Sequence, residues 1–271
     1  MEHAIDLAAV KGPLTSIFPL VKNSDFSKVK TNEDQESSDQ MPQSQDKEPL
    51  LEYDCSIQGR TIPLTASPIH NRDELISKAP SIINHELEES IRSALIKVAS
   101  EGHVPKVLAS PCQVKAQVSA DINQLEEPNS AWFNNVANSK VDPCIIVEDI
   151  TKLMKMVKGL EEELPLMERN LTLLVPDTHM KYLTTSTDFC CSALEKLQET
   201  YPKLKVVAIH GLCTASYAFA LLVYTSEAFG PAGYVVLDRG IKLTTAPRQI
   251  EIPKYRLVIT HLSQMAVLEG I

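Results

Sequence analysis

Three residues of this chain have the types and spacing for general-base chemistry. Asp177, His210 and Asp238 each follow a short apolar run, and His179 and Ser216 lie near them in the sequence. A carboxylate that orients an imidazole beside a hydroxyl is the minimum for general-base or nucleophilic catalysis. In an open α/β sheet ligands sit beyond the carboxyl ends of the strands, so one shared rim would bring these side chains together. Nothing else in the sequence extends the set: there is no G-x-S-x-G elbow, no GxGxxG, no Walker loop and no His pair at metal-binding spacing. No metal and no cofactor is expected, and an enzyme built on Asp177, His210 and Asp238, hydrolase-like or other, stands as the alternative reading.

The elements that would position this rim are legible as apolar runs. Leu171–Val175 reads as a strand, Asp188–Tyr201 as a helix with Phe189, Leu194 and Leu197 on one face, and Leu204–Ile209 as a buried strand. Thr214 can cap a helix running to Phe229, with Gly230 and Pro231 ending it, and Tyr234–Leu237 gives a third strand. Two further strands fall near Gln249–Ile252 and Tyr255–Thr260, antiparallel because the link at Pro253 is too short for a crossover. The order is β-α-β-α-β-β, a small α/β domain over 169–271 with parallel first strands.

Upstream, Ile146, Ile150, Leu153, Val157, Leu160 and Leu164 recur four and three apart, which puts them on one seam of a helix. Glu148, Lys152, Lys155, Lys158 and Glu162 fall mostly outside the seam. With Ile146 at d, the β-branched residues sit mostly at a and Leu mostly at d, which favours a parallel dimer. Pro165 ends or kinks the helix. Residues 145–168 therefore read as an association helix, with an ordinary core helix as the plainer alternative.

Before it, 69–144 is a helical and irregular segment. Ile83, Leu87, Ile91, Ala94, Leu95 and Val98 mark a helix from about Ile82 to Ser100, started at Pro80 and Ser81 and stopped at Gly102 and Pro105. Val114, Ala116, Val118 and Ala120 alternate as a short strand, and Trp132 and Phe133 supply an aromatic anchor.

Residues 1–68 read as largely disordered. From Asn23 to Asp54 nine acids face three bases, among Ser and Gln with little to bury. Ahead of that stretch an apolar motif at 4–21, including Ile5, Leu7 and Val10, has the form of a segment that folds on a partner.

The net charge of −9 excludes a chain that sheathes nucleic acid along its length. From Tyr201 to Ile271 the local balance reverses, with seven bases against four acids. Adjacent Cys190 and Cys191 cannot form an ordinary disulfide, and with Cys55, Cys112, Cys144 and Cys213 they contain no CxxC. A reducing compartment is expected. The longest apolar run, Ala215–Val223, is too short to span a membrane, so a soluble intracellular protein is expected.

The β-α-β-α-β-β order resembles small nucleic-acid-binding α/β modules such as the Alba family over roughly 170–262, without their concentrated Lys and Arg. An RNA-binding module or viral movement protein is thus a further alternative. The layout of the whole chain resembles the phosphoprotein of a non-segmented negative-strand RNA virus. That resemblance implies a non-enzymatic, self-associating adaptor. Ile5, Leu7 and Val10 would chaperone nucleoprotein, and the Ile146–Leu164 seam would oligomerise. Lys242, Arg248, Lys254 and Arg256 would dock polymerase onto the nucleocapsid, and Thr31, followed by Asn-Glu-Asp, would be phosphorylated. The implied partners are a further copy of the chain, a nucleoprotein and a polymerase, with no direct contact to nucleic acid or membrane. The implied location is host cytoplasm or nucleus, or the virion.

Overall fold

A run such as Phe219-Ala-Leu-Leu-Val-Tyr-Thr225 is apolar at nearly every position, which suits a strand buried on both faces. In the computed structural model it is strand β8 (Phe219–Thr225), with every residue but the last buried. The structure describes residues 2–28, 53–64, 72–109, 132, 143–157, 168–186, 191–214, 217–226 and 230–271. The chain divides into two units, one of 1–95 with 231–262 and one of 96–230 with 263–271.

The second unit is built on a five-stranded sheet in the order β5-β13-β8-β6-β7. Its strands are β5 (Lys106–Leu108), β6 (Asn170–Pro176), β7 (Lys205–Ile209), β8 and β13 (Met265–Glu269). β6 and β7 are parallel, with Pro176 opposite Ile209, while β8 runs antiparallel to both β6 and β13. Alternate residues of the central strands, Leu171, Leu173 and Val175, Ala220, Leu222 and Tyr224, Ala266 and Leu268, share one core cluster. Helix α2 (Pro143–Met156), short helix α3 (Met180–Thr184) and helix α4 (Ala193–Thr200) bury Ile146, Ile150, Leu153, Leu183, Ala193 and Leu197 in that same cluster. α4 starts at a capping box: Ser192 Oγ accepts from Glu195 N at 3.2 Å, and Ser192 N donates to Glu195 Oε2 at 2.8 Å.

The first unit has two four-stranded sheets. One is β1 (Glu2–Ala4), β10 (Lys242–Thr245), β11 (Arg248–Ile252) and β4 (Arg60–Pro63), all antiparallel. The other has the order β2-β9-β12-β3, from β2 (Leu20–Lys22), β9 (Gly233–Leu237), β12 (Tyr255–Ile259) and β3 (Tyr53–Ile57). β9 approaches β12 so closely that a Cβ on Gly233 would lie 2.5 Å from Val258 O. At the β3–β4 turn a Cβ on Gly59 would lie 2.5 Å from the carbonyl carbon of Pro253, so only glycine fits.

Helix α1 (Arg72–Glu101) carries Leu75, Ala79, Ile83, Leu87, Ile91, Leu95 and Val98 as a buried stripe. It starts ten residues before the expected Ile82, with Pro80 inside it. An interior proline costs about 3 kcal/mol, yet the turn before it persists because Leu75 and Ala79 extend the stripe and both are buried. Gly102 ends the helix with φ +78, as expected of a left-handed C-terminal residue.

Several expectations are overturned. The expected fold, a single α/β domain behind a central coiled coil and a disordered tail, is replaced by three sheets with few helices. The expected helix Thr214–Phe229 is β8 where described, since seven apolar and β-prone residues fill a central strand. Tyr234–Leu237 does not continue the Leu171 sheet but forms β9 in the first unit, and β11 and β12 lie in different sheets. No long central coiled-coil helix is present among the described residues. α2 has 14 residues, and its seam is packed into the core of its own chain.

The N-terminal region is folded where described. β1 pairs with β10, β2 with β9, β3 with β12 and β4 with β11. Between β1 and β2, Val10, Leu14, Ile17 and Phe18 are core residues. Leu14 N donates to Glu88 Oε1 at 3.0 Å and Thr15 Oγ1 to Asn84 Oδ1 at 3.0 Å, fixing this segment to α1. The acidic stretch 29–52, the strand expected around Val114–Ala120, and Phe133 lie outside the described residues. Among the described residues no helix is long and apolar enough to cross a membrane.

Candidate functional site

The parallel pairing of β6 with β7 sets their next residues side by side, and here two of the three rim residues do meet. His210 Nδ1 lies 2.8 Å from Asp177 Oδ2, and Thr178 N donates to Asp177 Oδ1 at 2.8 Å. The bond from His210 holds the Asp177 carboxyl below its ordinary range. Beside them His179 Nε2 is 3.1 Å from Ile271 O, and Thr178 Oγ1 is 3.0 Å from His179 Nδ1. A carbonyl only accepts, so in the neutral ring Nε2 carries the proton and Nδ1 accepts from Thr178.

The third residue belongs to the other unit. Asp238 follows β9 in the first unit, where its N–H donates to Lys254 O at 3.1 Å. β9 pairs with β2 and β12 instead of extending the β6–β7 sheet, so Asp238 does not follow a strand of that sheet. Ser216 lies outside the described residues. What is assembled is a solvent-exposed carboxylate–imidazole pair, with the His210 side chain 84% exposed. Among the described residues no cluster of three or more His, Cys, Asp or Glu is placed to hold a metal ion.

Three of the seven C-terminal bases are paired with acids of the chain. Lys242 Nζ is 3.0 Å from Glu2 Oε2, and Arg256 donates to Asp54 Oδ2 at 2.6 Å and to Asn23 Oδ1 at 3.1 Å. Arg239 pairs with Glu251. Arg248 and Lys254 are exposed. Lys242 also pulls the Glu2 carboxyl below its ordinary range.

The remaining candidates from the sequence fall in distinct places. Ile146, Ile150, Leu153 and Val157 are each no more than 2% exposed in the core of the second unit. Leu160, Leu164 and Thr31 lie outside the described residues. Val10 is core, but half-buried Ile5 and Leu7 line a surface cleft of about 280 Å³ together with Leu20 and Val21. Asp6, Lys22 and Asp25 complete its lining.

Two polar groupings were not foreseen from the sequence. Asp149, on the buried side of α2, accepts from Trp132 Nε1 at 3.4 Å and is wholly buried. Its i+3 and i−3 spacing from Lys152 and Ile146 placed it near the seam, but an acid there reads as surface. Tyr217 donates to Glu269 Oε1 at 2.9 Å, and Lys106 Nζ lies 2.5 Å from the same oxygen. Burial, and then Glu269, raise the Tyr217 hydroxyl above its ordinary range. No sequence signal connects residues 106, 217 and 269 before the β5-β13-β8 order is known.

Against this geometry the comparisons with known proteins are informative. Residues 112–235 match the family model described as the Pa193 gp26 major capsid protein. That match replaces the resemblance to a negative-strand virus phosphoprotein, which rested on layout without a motif. No curated protein matches the chain. Among solved structures, the virus-like particle from Pyrococcus furiosus aligns with 82% of this chain and 76% of that one, at 10% identity and a TM-score of 0.41. The capsid of Myoviridae Phage XM1 aligns with 85% and 81%, at 10% identity and a TM-score of 0.38.

Proposed function

We propose that this chain is a non-enzymatic structural subunit that associates with further copies of itself into a protein shell, and that it resides in a virion. The match of residues 112–235 to a major capsid protein family carries the reading. The described part of that stretch includes α2, β6, α4, β7, β8 and the start of β9. The molecule's chemistry is consistent with it: the Asp177–His210 pair is solvent-exposed, and Arg239, Lys242 and Arg256 are each tied to an acid. The phosphoprotein functions, chaperoning nucleoprotein and linking a polymerase, are set aside.

The test is the mass and appearance of the purified full chain across concentration. Light scattering should show species of many subunits in equilibrium with free chain, and negative-stain microscopy should show closed particles or rings of uniform size. A chain that stays at 30.0 kDa at every concentration would overturn the reading.

A further inference from the structure

We propose that residues 23–28 form a latch on one face of the β2-β9-β12-β3 sheet, with Phe26 as its plug and Arg256 as its catch, and that the latch opens without unfolding of the sheet beneath. The inference stands on the first unit alone and does not depend on the shell reading. Successive residues of a strand face opposite sides of the sheet, and cross-strand partners face the same side. The register sets Val21 beside Val236 and Arg256, and Tyr234 beside Val258 and Asp54, so these side chains share one face. Val235 and Leu257 belong to the other.

Residues 23–28 are helical, and Phe26 is the one buried residue among them. Its ring stands edge-on to Tyr234, with centroids 5.5 Å apart and planes at 62°, and the two form a cluster with Val21, Val236 and Val258. One guanidinium then ties the turn to the sheet. Arg256 donates to Asn23 Oδ1 at 3.1 Å and to Asp54 Oδ2 at 2.6 Å, and its Cζ lies 5.9 Å from the centre of the Phe26 ring. Asp54, on β3, thereby aims the arginine that holds both Asn23 and Phe26.

Such an attachment is local. Asn23, Ser24, Asp25, Ser27 and Lys28 are exposed, so Phe26 is the one side chain that leaves a buried site when the turn lifts. A segment with so little buried area opens at a lower free energy than the sheet it lies on. The catch is also within reach of solvent ions, because the Arg256 and Asp54 side chains are 32% and 44% exposed, and salt weakens such a pair. Lifting the latch uncovers an apolar strip made by Tyr234, Val236 and Val258. The first unit thereby has two surface states, one with the strip covered and one with it presented, and ionic strength biases the balance between them.

Thiol labelling of the full chain reads the opening. Val258→Cys puts a thiol under the plug and Val235→Cys puts one on the opposite face of the same sheet, both at positions no more than 2% exposed. Modification is followed by mass spectrometry on the peptide that carries each, and Val236→Cys substitutes for Val258→Cys if that variant loses the native circular dichroism spectrum. At urea concentrations below the unfolding transition, Val258→Cys should label at least about tenfold faster than Val235→Cys, at a rate that urea hardly changes. Adding Phe26→Ala or Arg256→Gln should raise the first rate about tenfold and leave the second as it was. Raising salt from about 0.05 M to about 0.5 M should speed Val258→Cys alone, and Asp54→Asn should remove that salt effect. Equal rates with equal urea dependence would mean that this face opens only when the whole unit unfolds, which overturns the proposal. A Val258→Cys rate that Phe26→Ala and Arg256→Gln leave unchanged overturns it too, and a salt effect shared by both thiols overturns Arg256 as the catch.

Discussion

At the scale of single residues, the Asp177–His210 pair makes a small, signed contribution to stability. The Asp177 carboxyl is held below the ordinary value of about 3.9 by the bond from His210. A depressed carboxyl stabilises the fold fully above its unfolded value and loses that contribution as pH falls through the folded one. With the Asp177 side chain 42% exposed, the gain stays below about 1 kcal/mol after solvent screening. Asp177→Asn should therefore lower the thermal midpoint slightly at pH 6 and leave it equal to the native value near pH 2, measured by thermal unfolding across that range. An equal deficit at both pH values would mean that the carboxylate charge is irrelevant. Asp149 is the contrasting case, a wholly buried acid that accepts from the chain's single tryptophan. Asp149→Ala removes the indole's partner inside a core, at a cost of about 1–3 kcal/mol. The denaturant midpoint followed by tryptophan emission should fall accordingly, and an unchanged midpoint would show that the bond contributes nothing.

At the scale of elements, α2 decides what an apolar seam does. Leu153 is fully buried in a cluster with strand residues Leu173 and Leu222, so its truncation opens a cavity in the second unit. Leu153→Ala should cost about 2–5 kcal/mol of unfolding free energy. The chain should unfold at lower denaturant concentration, and a normal midpoint combined with a smaller assembly would return the seam to an association role. This is also where the sequence was least decisive. A 3.6-residue apolar period shows that a helix buries one face, but not whether the covering surface belongs to its own chain. β6, β7 and α4 were readable because each run has one length and one period that suit a single element. β8 was not, since Ala215–Val223 is apolar enough for either a buried helix or a buried strand, and its central place in the sheet decided the matter. The strands β1 to β4 are short and mixed in polarity, and each pairs with a strand from the C-terminal part of the chain. The β1–β10 and β3–β12 registers, Glu2 with Thr244 and Cys55 with Leu257, have no local trace in the sequence.

For the whole molecule, the distribution of charge sets what it binds. Reading charge along the chain places an acidic stretch near one end and a mildly basic region at the other. Among the described residues, folding pairs acids near the N-terminus with two of these bases, because the strands that carry Glu2 and Asp54 lie beside those that carry Lys242 and Arg256. Arg239, Lys242 and Arg256 thus face carboxylates of their own chain, and the chain as a whole carries a net charge of −9. Nucleic acid binds by releasing counterions from phosphates that lysine and arginine replace, and a base already paired with a carboxylate contributes little to that release. The full chain should show no binding to a labelled 20-nucleotide RNA or DNA in 150 mM salt by fluorescence anisotropy. The Glu2→Gln, Asp54→Asn double variant uncovers two bases while leaving their strands in place. It should bind weakly at 20 mM salt and lose that binding by 150 mM, because two phosphate contacts give only a shallow salt dependence from a low starting affinity. Tight binding by the native chain with a steep salt dependence would instead require a basic surface outside the described residues, and would assign the molecule a direct nucleic-acid contact that its folded charge pairs argue against.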